Sequence, residues 1–385
     1  MPQIINLVIF LFLFFLATQV LKFSLYIFYL WQVVEYRLDR FWVRITNRGD
    51  RAEALSYLNI FNLYPSNKYP KVTLRTLLTF FLFIFITYQL LFSFYRPLAK
   101  LVNIPEKLTV TAFLVAIIVY YLTPILASFL TVLVTAITWP IKKLIIYLAR
   151  RKIENFKNLL VVGITGSYGK SSTKEIVWEV LRTTFNVLKT PANTNTIIGV
   201  AKTILTSLKN DHQIFVVEMG AYKKGEIKEI CDLVNPEIGI LTGINEQHLV
   251  LFGSLTNIQK TKYELIGSLP RNGLALFNGK NKFCRILNKK TKNCLKQLYG
   301  KESDEFSEAI DAGYMIGKFL NVPEIKIKKI LPKLKKKLEI KKEKNRSGLL
   351  IFDDSYSTNP EGFNKALNII SKYQKKEISR YTRYN

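Results

Sequence analysis

The ten residues Gly163-Ile-Thr-Gly-Ser-Tyr-Gly-Lys-Ser-Ser172 set three glycines, a lysine and hydroxyls in an order suited to phosphate chemistry. They follow an apolar run, Leu159 to Val162, and precede a helix-like stretch, Thr173 to Thr183. In a strand–turn–helix setting, glycines let backbone N–H groups approach a phosphate, and the helix N-terminus favours its negative charge. Lys170 can then reach the β- and γ-oxygens of a nucleoside triphosphate, and a hydroxyl at Ser171 or Ser172 can hold Mg2+. The candidate nucleotide-binding residues are Thr165, Gly166, Ser167, Gly169, Lys170, Ser171 and Ser172. The spacing departs from the common G-x-x-x-x-G-K-[ST] loop, which would need glycine at Ile164. A glycine-rich structural turn is the plain alternative to an ATP or GTP site.

Such a loop needs a sheet behind it. Further short apolar runs occur at Ile214–Val217, Ile238–Leu241, Leu274–Phe277 and Leu349–Phe352, separated by helix-like stretches. This pattern predicts an α/β fold, a mainly parallel sheet flanked by helices, with ligands at the C-terminal ends of the strands. Polar residues cluster there: Glu218 after the second run, Thr242 to His248 after the third, Asp353 and Asp354 after the last. Glu218 can hold Mg2+ directly or through water, or cap the following helix. His248 is one of only two histidines, and a lone histidine is more often structural than catalytic. The three cysteines, Cys231, Cys284 and Cys294, fit neither a disulfide framework nor a zinc site.

The first 140 residues are of another kind. Ile4 to Val34 is almost wholly apolar apart from Lys22, Thr76 to Tyr95 is free of charge, and so is Leu108 to Trp139. Each run can cross a ~30 Å hydrocarbon core. The last is long for one crossing, and Pro124 is expected to kink it. The net charge of +28 belongs with this arrangement. Seven Lys/Arg lie in 35–72, six in 142–157, and three in 96–107. Three crossings place both richer segments on the cytoplasmic side together with the nucleotide site; four would put one of them outside. A cleaved signal peptide is disfavoured, because no basic stretch precedes the first apolar run. The expectation is a multi-pass protein of the cell (cytoplasmic) membrane, with 1–140 as the membrane region, 141–158 as a basic amphipathic linker and the nucleotide domain in the cytoplasm.

Taken together, the segments from 159 to about 370 resemble the ATP-dependent Mur ligases of peptidoglycan synthesis. The 163–172 loop is similar to their ATP loop, and Thr190-Pro-Ala-Asn-Thr-Asn-Thr-Ile-Ile-Gly199 to their Asn-rich substrate loop. Val217-Glu-Met-Gly-Ala221 resembles the segment bearing the first Mg2+ ligand, and Glu246-Gln-His-Leu-Val-Leu-Phe-Gly-Ser254 the one with a second-metal histidine. Lys260-Thr-Lys-Tyr-Glu264 resembles the stretch whose lysine is carbamylated, here Lys262. Phe352-Asp-Asp-Ser-Tyr-Ser-Thr-Asn-Pro-Glu361 is close to the corresponding segment of the D-alanyl-D-alanine-adding type.

The resemblance implies a ligase that makes an amide through an acyl phosphate, with ATP and Mg2+ as cofactors. Lys170, His248 and Lys262 would be catalytic, and Ser171, Glu218, His248 and Lys262 would hold or support metal. Asn193, Asn195, Asp353, Asp354 and Asn359 would touch substrate or nucleotide. Plainer roles remain open: an exposed helix lysine for Lys262, and turn or strand-end capping for the Asp and Asn residues. It also implies 159–346 as the ATP-binding central domain and 347–385 as the start of a truncated C-terminal domain. The family's N-terminal uridine-nucleotide domain is replaced by the apolar region, and its His-Asn-x-x-Asn adenine segment is not found. Expected partners are membrane lipid, a small-molecule or lipid-linked cell-wall precursor with an amino acid or dipeptide, and a separate chain completing the C-terminal domain. Other readings are an ATP-binding membrane scaffold inactive alone, half of a split ligase, or a poly-glutamate-type ligase. The run Lys326 to Arg346, with eleven Lys/Arg and two Glu, reads as a solvated basic face or a contact for anionic lipid. Nucleic acid is not expected, since no basic groove interleaved with aromatic residues is evident.

Overall fold

The charge-free runs form long helices. In the computed structural model, residues 2–46, 48–57, 59, 68–101, 105–246, 249–300, 308–338, 341–344, 350–353, 367 and 371 are described. Residues 1–142 and 143–385 cluster as two units. The first holds α1 (Pro2–Val33), α2 (Leu38–Thr46), α3 (Arg48–Ser56), α4 (Leu74–Leu101) and most of α5 (Pro105–Glu154). Three stretches are long and apolar enough to cross a membrane: Leu11–Val33, Leu74–Ser93 and Leu114–Glu154. Apolar side chains cover the outside of these helices as well as the inside, with Phe14, Phe81 and Phe129 exposed; in water such a surface would be a liability. Between the helices, Tyr26 stacks on Tyr57 with ring centres 4.2 Å apart, and Trp31 Nε1 donates to Ser128 Oγ at 3.0 Å. α5 continues as one helix through Pro124 and Pro140. At 50 residues it is about 75 Å long.

The second unit is built on six parallel strands in the order β2-β3-β1-β4-β5-β6. In chain order its elements are β1 (Leu160–Thr165), α6 (Lys170–Leu181), β2 (Val187–Lys189), α7 (Ile197–Ser207), β3 (Ile214–Met219), α8 (Glu226–Val234), β4 (Ile238–Leu241), α9 (Leu249–Phe252), α10 (Leu255–Gly267), β5 (Leu274–Asn278), α11 (Lys282–Lys290), β6 (Leu295–Tyr299), α12 (Glu308–Phe319), α13 (Glu324–Leu338), β7 (Lys341–Lys344) and β8 (Leu350–Asp353). The central strands are continuous apolar runs because both faces are covered. Val162 and Ile164 pack with α6, α12 and α13, while Val161, Phe215 and Val217 pack with α7, α8 and α10. α6 thus leaves β1 toward one face, whereas α8 and α10 leave the adjoining β3 and β4 toward the other. That divergence opens a crevice at the C-terminal ends of β1, β3 and β4, the usual place for a ligand in an open α/β sheet.

The structure departs from the sequence expectation in two places. β8, read as a fifth parallel strand, instead pairs antiparallel with β7 in a separate two-stranded sheet. β2 and β6 complete the main sheet but were not expected: β2 has three residues, and β6 exposes Leu295, Lys296 and Gln297, so neither makes a buried apolar run. Residues 143–154, within the stretch read as a basic amphipathic linker, are the last turns of α5. Ala149 and Ile153 are buried in the core on one face of the sheet, and Lys152 Nζ donates to the Leu205 carbonyl at 3.0 Å.

Candidate active site

The loop after β1 is shaped by close approaches that only glycine allows. A Cβ on Gly166 would lie 2.0 Å from Thr242 Oγ1, and Gly169 has φ +74°. The ring of Tyr168 lies over Gly243, where a Cβ would come within 2.3 Å of Tyr168 Cζ. β4 therefore braces the loop from below, with the Thr242 hydroxyl against the Thr165 and Tyr168 carbonyls. α6 begins at Lys170, and no side chain caps its first turn. Uncapped N–H groups and the positive end of the helix dipole suit a phosphate.

The ionisable groups meet at the same edge. Ile164 pairs with Glu218 across β1 and β3, which brings the Glu218 carboxylate beneath the first turn of α6. Ser171 Oγ donates to Glu218 Oε2 at 2.9 Å, and Asn195 Nδ2 donates to Glu218 Oε1 at 3.2 Å. Asn195 reaches it across Gly220, where a Cβ would be 2.8 Å from the Asn195 amide. A buried carboxylate, a hydroxyl and an amide oxygen within one cluster form a hard-oxygen donor set that fits Mg2+. Glu218 does not cap α8, which starts at Glu226 behind Gly225.

Lys170, Asn195, Gly220, Tyr222, Phe252 and Lys262 line one cleft. Lys170 Nζ donates to the Gly166 and Ser167 carbonyls at 2.9 and 3.4 Å, so the ammonium folds over the loop. Burial lowers the pKa of Lys170, and the Glu218 carboxylate opposes that shift. Lys262 is buried on α10 and is no exposed helix lysine. Glu264, two residues on, accepts from the backbone N–H groups of Gly225 and Lys228 at 2.7 and 3.0 Å, fastening α10 to the start of α8. Burial, then the nearby Lys170 cation, pushes the Lys262 pKa down to about 7, against the opposing pull of Glu226 and Glu264. Near neutral pH a large share of Lys262 is therefore an uncharged amine.

The other expected residues divide. Thr165 uses its hydroxyl on the Met219 carbonyl at 2.9 Å, and the Ser167 N–H donates to the Gly243 carbonyl at 2.7 Å. Both shape the loop in this arrangement. Ser171, and not Ser172, contacts Glu218. Asn193 is exposed with φ +57°, a backbone that asparagine tolerates; turn chemistry accounts for it, and it does not line the cleft. The Asp353 backbone ends β8 in the two-stranded sheet. His248, Asp354 and Asn359 lie outside the described residues.

Lys174 was missed. It is 1 % exposed, its Nζ is 3.1 Å from Glu218 Oε2, and it donates to the Pro191 carbonyl at 3.2 Å. It thereby ties the metal-type carboxylate to the 190–196 loop. Its signal was its position one helical turn after Lys170, on the same face of α6. Thr190, whose Oγ1 accepts from the Glu218 N–H at 3.1 Å, was also missed as a support.

Residues 164–341 match the family model for the Mur ligase middle domain. The chain is 40 % identical over 121 residues to the UDP-N-acetylmuramoyl-tripeptide–D-alanyl-D-alanine ligase of Synechocystis sp., covering 31 % of this chain and 26 % of that protein. It is 40 % identical over 119 residues, with the same coverage, to the Bacillus subtilis protein of that name. The match thus spans about a quarter of the length of these relatives. Among solved structures, MurF from Acinetobacter baumannii aligns with a TM-score of 0.53 at 21 % identity, over 60 % of this chain and 58 % of that one. MurF ligase from Thermotoga maritima in complex with ADP aligns at 0.50 with 24 % identity, over 60 % and 61 %. These structural likenesses concern the fold.

Proposed function

We propose, from the match of residues 164–341 to the Mur ligase middle domain, that the chain is a Mur-type ligase, membrane-anchored and ATP-dependent, that joins a carboxylate to an amine on a peptidoglycan precursor. One observation carries this reading. Lys170 and Lys262 line one cleft, and Asn195, which lines it too, donates to the Glu218 carboxylate that Ser171 also holds. In the reaction a substrate carboxylate oxygen attacks the γ-phosphorus of ATP, ADP leaves, and an amine nitrogen then displaces phosphate from the acyl carbon. Mg2+, when bound, neutralises phosphate charge. The α6 N-terminus and Lys170 hold the phosphates in line, Ser171 and Glu218 offer the oxygens for the metal, and Asn195 orients both Glu218 and the substrate. Such a site works mainly by positioning and charge stabilisation.

Purified chain with Mg-ATP, UDP-N-acetylmuramoyl-tripeptide and D-alanyl-D-alanine should release phosphate only when both substrates are present, with the amide product seen by mass spectrometry. ATP binding without turnover would favour a nucleotide-binding partner that needs a second chain. Turnover with glutamate in place of the dipeptide would favour the poly-glutamate type.

Lys262 supports the second half of this chemistry. Its uncharged amine can take up CO2 as a carbamate, an oxygen ligand for Mg2+. Only the neutral amine reacts, and a proton is lost, so carbamate formation grows as pH rises through about 7. Bicarbonate should stimulate turnover more at pH 8 than at pH 6, and Lys262→Met should abolish the stimulation; stimulation that persists in the variant would remove Lys262 from this role. The linked effect on stability has the opposite origin. A depressed lysine costs the fold most below about pH 7, where it must be protonated while buried, and the cost fades toward the ordinary lysine pKa of 10.5. Lys262→Met is therefore expected to raise the melting temperature most at pH 6.

Anchoring rests on the three apolar stretches and on the basic segments at 35–72 and 142–157. Reporter fusions after residues 60, 101 and 158 should read cytoplasmic, external and cytoplasmic. An external signal at 158 would overturn the topology.

A further inference from the structure

Within residues 1–142 a second cleft opens at the end of the helices where α1 stops and α4 starts. Trp31, Tyr36, Leu38, Val132, Ala136 and Trp139 line it. Trp31 forms a buried floor, stacked on Phe41 at 4.1 Å, while Leu38, Val132 and Trp139 remain exposed. An apolar channel flanked by tryptophans at the end of membrane-length helices has the character of a site at the bilayer interface.

A cation is fixed at its edge. α4 is started by a reciprocal pair of threonines: Thr76 N donates to Thr73 Oγ1 at 3.2 Å, and Thr73 N to Thr76 Oγ1 at 2.8 Å. Gln32 clasps the preceding backbone, donating to the Lys71 carbonyl at 2.9 Å and accepting from its N–H at 2.5 Å. This places Arg75 in the first turn of α4, with its guanidinium 4.4 Å from the Tyr36 ring centre and Nη2 donating to Thr138 Oγ1 at 3.0 Å. Among the described residues no carboxylate pairs with Arg75. Glu35, the acidic residue beside Tyr36, is engaged with Arg40 at 3.3 Å. A cation at a helix N-terminus also faces the unfavourable end of the dipole. Both facts call for an anion. The Tyr36 hydroxyl is buried with no hydrogen-bond partner among the described residues, which supplies a donor awaiting an acceptor.

We infer that this cleft binds one anionic phospholipid, its phosphate against Arg75 and the Tyr36 hydroxyl and one acyl chain along Trp31, Val132 and Trp139. The occupant follows from the charge and from the apolar channel together: a soluble anion would leave the channel wet, and an uncharged lipid would leave Arg75 without an anion. Inner-leaflet surfaces rich in anionic lipid attract basic residues by about 1 kcal/mol each, or about fivefold in binding.

The inference rests on the membrane reading above, and the two can fail separately. Alkaline carbonate extraction of cells decides that reading: release of the chain into the supernatant would refute anchoring. Lipid selectivity is read by native mass spectrometry of the full chain in detergent, with dioleoyl-phosphatidylglycerol or dioleoyl-phosphatidylcholine added at equal concentration. Wild type is expected to retain one phosphatidylglycerol about fivefold more often than phosphatidylcholine. Arg75→Gln should bring the ratio close to one, Arg75→Lys should keep most of the preference, and Tyr36→Phe should reduce it. Size-exclusion elution and melting temperature show that each variant is folded, and Tyr36→Phe, which keeps the ring under Arg75, serves if Arg75→Gln is not. Equal retention of the two lipids by wild type, or an unchanged preference in folded Arg75→Gln or Tyr36→Phe, would overturn the proposal.

Discussion

Lys170→Ala is expected to lower substrate-dependent phosphate release by about 10²–10³-fold, the range seen when one fixed electrostatic donor is removed from a reacting centre. The reason is geometric. Lys170 lies at the first residue of α6, beside the loop that would hold the phosphates, and its ammonium is held over the Gly166 and Ser167 carbonyls until a stronger anion is present. Replacing carbonyl partners by phosphate oxygens needs only a swing of the side chain. The fold should be unharmed, because the lysine is a desolvated cation whose pKa burial has already lowered; removing it relieves a cost. The melting temperature of Lys170→Ala should match or exceed that of wild type. Unchanged phosphate release in the folded variant would dismiss this loop as the nucleotide site.

Lys174→Met should act in the opposite way, on stability first. Lys174 and Glu218 are 1 % and 2 % exposed and 3.1 Å apart. Removing the ammonium leaves a buried carboxylate held only by Ser171, Asn195 and the surrounding backbone. Breaking a buried pair from one side costs about 3–5 kcal/mol, and the remaining hydrogen bonds place this case near the lower figure. For a unit of this size that is a fall in melting temperature of about 6–12 °C. The double variant Lys174→Met with Glu218→Gln removes the stranded charge and should recover most of the loss, though not Mg-dependent nucleotide binding. A melting temperature within a degree of wild type in the single variant would show that the pair is not a buried ion pair in solution.

Much of the candidate site was legible in the chain. Lys170 and Ser171 stand in a local pattern of glycine, lysine and hydroxyl whose meaning depends on the next few residues alone. Glu218 was legible because it ends an apolar run, and the end of a buried strand is where a polar group can emerge. Lys262 was reached through resemblance only: a lysine on an amphipathic helix carries no mark of whether it faces water or the core. The choice between Ser171 and Ser172 was likewise open until the chain closed on itself. Lys174, on α6, went unnoticed because its partner, Glu218, lies on β3.

By itself the sequence determined most of the elements, though not β2 or β6. Runs without charge must leave water, an apolar run flanked by turn residues makes a buried strand, and Gly-Lys-Ser before a helix makes a phosphate-type turn. Each follows from chemistry within one turn or one strand. The tertiary structure alone decided which side chains meet, because Ser171 and Glu218 are 47 residues apart and come together only when β3 is laid beside β1. It also decided that Lys262 is buried, with its pKa lowered to about 7, that β8 stands outside the main sheet, and that Arg75 comes to rest on Tyr36. Sequence periodicity encodes how much of a segment avoids water; which neighbour it finds there depends on strand order and on the face each helix takes.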